Sequence, residues 1–239
     1  MQDNNPHKDH RSRLRARFIN EGLNSFPNHN ILELLLFYSI PRKDTNELAH
    51  QLIEKFGSLA AVFDADYNQL VNTEGVGENT AVLLKLVPCL ARAYLMDKET
   101  RYPNFSDLHK LGSYLVNYFV GCTSERFVAV LLNNNIEMID MVVISEGVVN
   151  RTSASPRKVI EAALHRNAAF IVIAHNHPDG DSRPSEDDLS LTKVFSDVCS
   201  TMEIPLVEHI VVGGNNYTGI ITHESSGIKY ANFDPNKRF

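Results

Sequence analysis

Apolar positions in the first hundred residues recur at helical spacing, and none of this region shows the alternation of a half-buried strand. Residues 31–38, ILELLLFY, form one apolar run, with Asn28 or Asn30 placed to cap it. In NELAHQLIEKF, Leu48, Leu52, Ile53 and Phe56 make a stripe that Asp44 or Thr45 opens and Gly57 stops. A further turn is read over residues 59–63. Two helical stretches then flank Glu74-Gly75-Val76-Gly77-Glu78. Residues 96–107, polar and charged with one proline, read as a linker.

Beyond that linker the period changes. Residues 127–132 and 136–144 are apolar strands around an Asn133–Asn135 turn, which predicts a hairpin. Residues 157–167 read as a helix with Val159, Ile160, Ala163 and Leu164 on one face. A buried strand follows at 170–174, then a helix at 189–202. Residues 206–212 and 217–222 close the pattern as a hairpin around Gly213-Gly214-Asn215-Asn216. The expected architecture is a helical domain over residues 1–100 and an α/β or α+β domain with a mixed sheet over 101–239.

Composition narrows the class. The chain has 239 residues, a net charge of −6, 43% hydrophobic and 22% charged residues, which suits folded domains with real cores. A pI of about 5.9 excludes a protein-wide basic field for nucleic acid, though not a local site. Cys89, Cys122 and Cys199 are dispersed and form no CxxC pair, so reduced thiols and a cytoplasmic location are expected. The N-terminus has no apolar signal region, and no apolar run nears the roughly 20 residues of a membrane span, so no membrane partner is expected.

The chemistry concentrates in FIVIAHNHPDGDSRPSEDDLSL. In a strand, residues i and i+2 share a face, so His175 and His177 project together from the strand's end. Pro178 turns the chain, Gly180 frees a loop, and Ser185 begins a helix. Asp188, three residues on, is placed to swing back toward the histidines, although Ser185 and Asp188 also satisfy a capping box by themselves. Two histidines and one aspartate leave a fourth metal position open, as in catalytic zinc sites. The HExxH helix of zincins is missing, and no CxxC follows as zinc deaminases require.

These residues match a known pattern. His175-x-His177, seven residues, Ser185, two residues and Asp188 resemble the JAMM (JAB1/MPN/Mov34) metalloprotease motif. The longer string AHNHPDGDSRPSEDD, with SPRKVIEAALHRNAA before it and LVEHIVVGGNNYTGI after it, is similar to the bacterial RadC group, the UPF0758 family. The helical first hundred residues, with their GVG turn of helix-hairpin-helix type, also resemble RadC proteins. The resemblance implies a JAB1/MPN-like domain, a curved mixed sheet flanked by helices, holding one Zn2+ per chain on His175, His177 and Asp188.

It further implies that Ser185 supports an oxyanion and that a glutamate on the first strand moves a proton. Glu125 is the best match, with Glu146 and Glu161 as competitors. The implied activity is a zinc metallopeptidase or isopeptidase acting on a peptide or protein; the alternative is a DNA-repair accessory protein with a structural metal. For DNA, the candidate contacts are Gly75, Gly77 and Lys85, and secondarily Arg11, Arg13, Arg15 and Arg17. Glu74 and Glu78 oppose phosphate there, and a tight helix–helix turn explains the glycines equally well. Two positions depart from the family pattern: Asp179 replaces a usual serine, and Lys158 replaces the usual acid of a Pro-Arg-Glu triplet. His165 and His209 are expected to make local hydrogen bonds.

Overall fold

Helical periodicity and local caps account for the N-terminal helices. A computed structural model of the chain describes residues 6–99, 103–105, 107–147 and 154–222, and forms α1 (Pro6–Glu21), α2 (Asn28–Ser39), α3 (Asn46–Phe56), α4 (Leu59–Asp64), α5 (Tyr67–Val71) and α6 (Glu78–Lys98). Gly57, at φ 93°, closes α3 in a left-handed conformation that costs glycine little. Ser58 caps α4 by accepting from Ala61 N, and Asp66 and Gln69 form a reciprocal capping box on α5. On α2 the expected asparagine cap is replaced by Pro27, which offers no side-chain acceptor. Leu32, Leu36, Leu52, Val62, Leu70 and Leu84 meet in one buried core.

Compactness divides the chain into Met1–Leu90 and Ala91–Phe239, a division that falls inside α6. Helix α6 therefore continues into the segment expected as a linker, where Met96 packs on the core of the second unit. Farther along that segment, Asn104 bridges Glu137 and Phe105 is buried; residues 100–102 and 106 lie outside the described residues. Counting uninterrupted apolar runs also missed a property of α6. Among the described residues it is long and apolar enough in average composition to cross a membrane, although Lys85, Pro88 and Arg92 interrupt it.

Beyond α6 the second unit continues with a helix absent from the expected elements, α7 (Leu108–Phe119). It is capped by Asp107 and buries Leu108, Leu111, Tyr114, Leu115 and Phe119. Then come β1 (Arg126–Leu132), β2 (Met138–Glu146), α8 (Pro156–His165), β3 (Phe170–His177), α9 (Glu186–Thr201), β4 (Leu206–Gly213) and β5 (Asn216–Gly219). Strand order is β2-β1-β3-β4-β5. All neighbours are antiparallel except β3 and β4, which α9 joins as a crossover.

The central strands are covered on both faces, which explains why they read as continuous apolar runs. Val128, Val130, Leu132, Val172 and Ala174 face α7, whereas Phe127, Ala129, Leu131, Ile171 and Ile173 face α8 and α9. The α7 layer sits close: a Cβ on Gly112 would stand 2.4 Å from the Tyr217 ring. The hydroxyl of Tyr217 in turn bonds His109 Nδ1 at 2.9 Å.

Candidate metal centre

The end of β3 lies at the middle of the sheet, and His175 and His177 continue the face of Ile171 and Ile173 toward α9. Ser185 caps α9 by accepting from Asp188 N at 3.2 Å, while its own N–H donates to Asp188 Oδ2 at 2.7 Å. The capping box thus fixes the Asp188 side chain at the helix start, where it reaches the histidines. His175 Nε2 lies 3.0 Å from His177 Nε2 and 3.1 Å from Asp188 Oδ1, and His177 Nε2 lies 3.5 Å from Asp188 Oδ2. Among the described residues, these three form the only His/Cys/Asp/Glu group whose donor atoms converge, all within 4.8 Å.

The loop between β3 and α9 sets the orientation of His177. Its Nδ1 meets the backbone carbonyl of Asp181 at 2.8 Å. A carbonyl only accepts, so Nδ1 carries the proton and a neutral ring presents the Nε2 lone pair to the cluster. The loop is seated against β4 at Gly213, where a Cβ would come within 2.4 Å of Asp181 C and Ser182 N. Asp179 Oδ1 accepts from Asp181 N at 3.1 Å within this loop.

Charges in the cluster are coupled. Burial pushes the Asp188 carboxyl up, but the hydrogen bonds of His175, His177 and Ser185 outweigh it and hold the group far below the usual carboxylate range. The hydrogen bond to Asp188 raises His177 against its desolvation, with help from the Asp181 carbonyl and the charge of Asp179. Two ring nitrogens 3.0 Å apart beside a carboxylate need a positive charge among them. A proton on His177 supplies it, and a divalent cation in the same place satisfies three lone pairs at once. The donor set therefore fits a metal ion.

Glu125 stands just before β1, half-buried. Antiparallel pairing sets Phe127 opposite His175 and stacks their rings at 6.2 Å. Continued by two residues, that register sets Glu125 opposite His177 on the same face. Asn176, between the two histidines, points the other way and is buried. Its Oδ1 accepts from Arg126 N at 2.8 Å, and its Nδ2 donates to Ser124 O at 3.1 Å and Cys122 O at 3.4 Å. This side chain clamps the segment that carries Glu125, a role the sequence reading missed.

The rival glutamates are engaged elsewhere. Glu146 pairs with Arg126 across the β1–β2 ladder, and that hydrogen bond holds its carboxyl below the ordinary range. Glu161 is an exposed partner of Arg157 on α8, and Lys158 is exposed on the same helix. Two further residues complete the centre from behind. His209 on β4 bonds His175 Nδ1 through Nε2 at 3.0 Å, and Thr192 Oγ1 on α9 reaches both His209 Nδ1 and Asp188 O at 2.6 Å. Burial holds His209 well below the usual imidazole value, so the ring is neutral. Thr192 lies one helical turn after Asp188, a spacing legible in sequence; nothing local marks its contact with His209.

The residues considered for phosphate contact have other structural work in the first unit. Lys85 Nζ donates to the carbonyls of Phe63, Asp64 and Ala65 at 3.0, 3.3 and 2.9 Å, capping the end of α4. Gly75, at φ 83°, packs against Leu48, and Gly77 accepts from Ala81 at the start of α6. Arg11 bonds Ile40 O and Pro41 O, and Arg17 pairs with Glu21 and Ser25 O; Arg13 and Arg15 are exposed.

Comparison with known proteins places the chain among similar sequences. Residues 105–225 match the model of the RadC-like JAB domain. A UPF0758 protein of Fusobacterium nucleatum is 36% identical over 217 residues, covering 87% of this chain and 93% of that protein. A UPF0758 protein of Ruegeria pomeroyi is 32% identical over 210 residues, covering 86% and 92%.

Proposed function

The chain belongs to the RadC-like JAB domain family, and on that footing we propose that it is a zinc-dependent hydrolase of peptide or isopeptide bonds. The observation that carries this reading is the convergence of His175 Nε2, His177 Nε2 and an Asp188 oxygen, with the half-buried Glu125 two residues before the strand position that pairs with His175. Two imidazoles and one carboxylate suit zinc and leave a position open for water or substrate. When bound, zinc supplies Lewis acidity, polarising a carbonyl and lowering the pKa of a water to about 7.

The chain's own residues divide the remaining work. Glu125 accepts the proton of the attacking water and returns it to the departing amine. Asn176 holds the backbone on either side of Glu125, so the carboxylate does not have to be ordered during the reaction. Ser185 donates to the carbonyl oxygen as it gains charge. Its hydroxyl now donates to Asp188 Oδ2 at 2.6 Å, and rotation about one bond redirects it. A DNA-associated role has less support, because Lys85, Arg11 and Arg17 are engaged in intramolecular contacts.

Metal content and cleavage of a peptide and isopeptide panel test the proposal together. Full-length protein is expected to bind one zinc, His175→Ala to lose it, and Glu125→Gln to keep it while losing cleavage. A wild-type protein without stoichiometric zinc, or a Glu125→Gln variant as active as the wild type, refutes the assignment.

A further inference from the structure

We infer that Thr192 and His209 form a one-directional hydrogen-bond relay, anchored on the Asp188 backbone carbonyl, that turns the Nε2 lone pair of His175 toward the metal position. The inference rests on the metal-site reading above and assigns positioning roles to two residues that do not themselves reach the cluster's centre.

The direction follows from counting protons. Asp188 O can only accept, and Thr192 Oγ1 stands 2.6 Å from it, so the single hydroxyl proton is directed there. Were that proton turned elsewhere, two oxygen lone pairs would face each other at this distance. With its proton committed, Thr192 Oγ1 can only accept from His209 Nδ1, also at 2.6 Å. His209 Nδ1 therefore carries the ring proton. The ring is fully buried, where carrying a second proton is costly, so its Nε2 is bare and accepts from His175 Nδ1 at 3.0 Å. His175 then has its proton on Nδ1 and its lone pair on Nε2, the nitrogen that faces His177 and Asp188.

Burial makes the order strict. Thr192, His209 and His175 are 7%, 0% and 2% exposed, so water does not substitute for a broken link. The relay also joins two of the three candidate ligands, since Asp188 supplies both the carboxylate and the carbonyl that anchors the chain. A β-bulge aims His209 at the site. Ile171 pairs with Leu206, but Val172 pairs with Glu208 and Ile173 with His209, so one extra residue is inserted at Val207. Without it, the pairing would run Ile173 to Glu208, and His209 would fall opposite Ala174, whose side chain faces α7.

The test combines ring-tautomer spectra with zinc competition on the full-length protein. Nitrogen-15 NMR of the metal-free wild type at neutral to mildly alkaline pH is expected to show the Nδ1–H tautomer at both His175 and His209. Thr192→Ser, which keeps the hydroxyl, is expected to retain both tautomers and the zinc affinity. Thr192→Val, nearly isosteric, is expected to give mixed tautomers at His209 and a zinc affinity about 10–100-fold lower, the usual effect of losing such an outer partner. An Nε2–H tautomer at His209 in the wild type overturns the relay. So does a folded Thr192→Val variant with unchanged tautomers and zinc affinity within twofold. The tautomers are read without metal, so a wild type that shows them but binds no zinc refutes the metal reading and leaves the hydrogen-bond order standing.

Discussion

Replacing Asn176 with alanine removes three hydrogen bonds from a buried side chain while leaving the flanking His175 and His177 in place. The bonds to Arg126 N at 2.8 Å and Ser124 O at 3.1 Å have good geometry, and that to Cys122 O at 3.4 Å is marginal. Each good bond contributes about 1 kcal/mol net, and a buried group left unpaired costs about 1–3 kcal/mol, so the loss is roughly 2–3 kcal/mol. For a unit of this size that lowers Tm by roughly 4–12 °C. The chain has no tryptophan, so far-UV circular dichroism is the suitable melt. Zinc binding should survive, because the clamp touches the Glu125 segment and not the donor atoms; any cleavage activity should fall. Asn176→Asp sharpens the test. The introduced carboxylate can still accept from Arg126 N but sets an oxygen against two carbonyls, so its folded pKa is raised above the unfolded value near 3.9. The variant should therefore approach wild-type stability below about pH 4 and lose it as pH rises. A melt of Asn176→Ala within 2 °C of wild type would refute the clamp.

Other expectations follow from single contacts. Gly213→Ala drives a Cβ to 2.4 Å from two backbone atoms of the metal loop. It should cost about 1–3 kcal/mol and weaken zinc binding through the displaced Asp181 carbonyl, measurable by melt and by chelator competition. The raised His177 value means that, at any pH below it, a proton occupies the cluster in the metal-free protein. That proton contributes stability below the unfolded value of about 6.5 and ceases to do so as pH rises through the folded one. Zinc must displace it, so affinity should fall about tenfold per pH unit below the folded value; calorimetry in buffers of different ionisation enthalpy would expose the released proton, and a pH-independent affinity would count against the cluster. Cys199 is buried with its thiol pushed up to about 11, which leaves about one thiolate in 1,000 at pH 8. Alkylation at that pH should modify the exposed Cys89 and spare Cys199 until denaturant is added, as peptide mass mapping would show.

The N-terminal helices were legible because their stripes and stops are local: Leu48, Leu52 and Phe56 repeat at one face, and Gly57 ends it. Helix α7 carries a stripe of the same kind, Leu108, Leu111 and Leu115, behind a polar segment, and is absent from the elements expected of the sequence. The linker expectation failed in part for a related reason. Charged residues mark exposure, yet Met96 and Phe105 in that segment are drawn onto a core that combines nearby α7 residues with strand residues as far along the chain as Val212 and Tyr217.

The sequence alone determined the donor set. His175 and His177 share a strand face, and Ser185 and Asp188 share a helix cap, both of which are consequences of backbone geometry within a few residues. Only the tertiary structure decided what surrounds that set. It engaged Glu146 with Arg126 and Glu161 with Arg157, placed Glu125 two residues ahead of the pair Phe127–His175, and engaged Lys85 on the carbonyls ending α4. It also turned His209 toward His175 through one extra residue in β4. A shift of one residue reverses every side chain, and β3 and β4 are buried on both faces, so no alternation within them encodes which face each side chain takes.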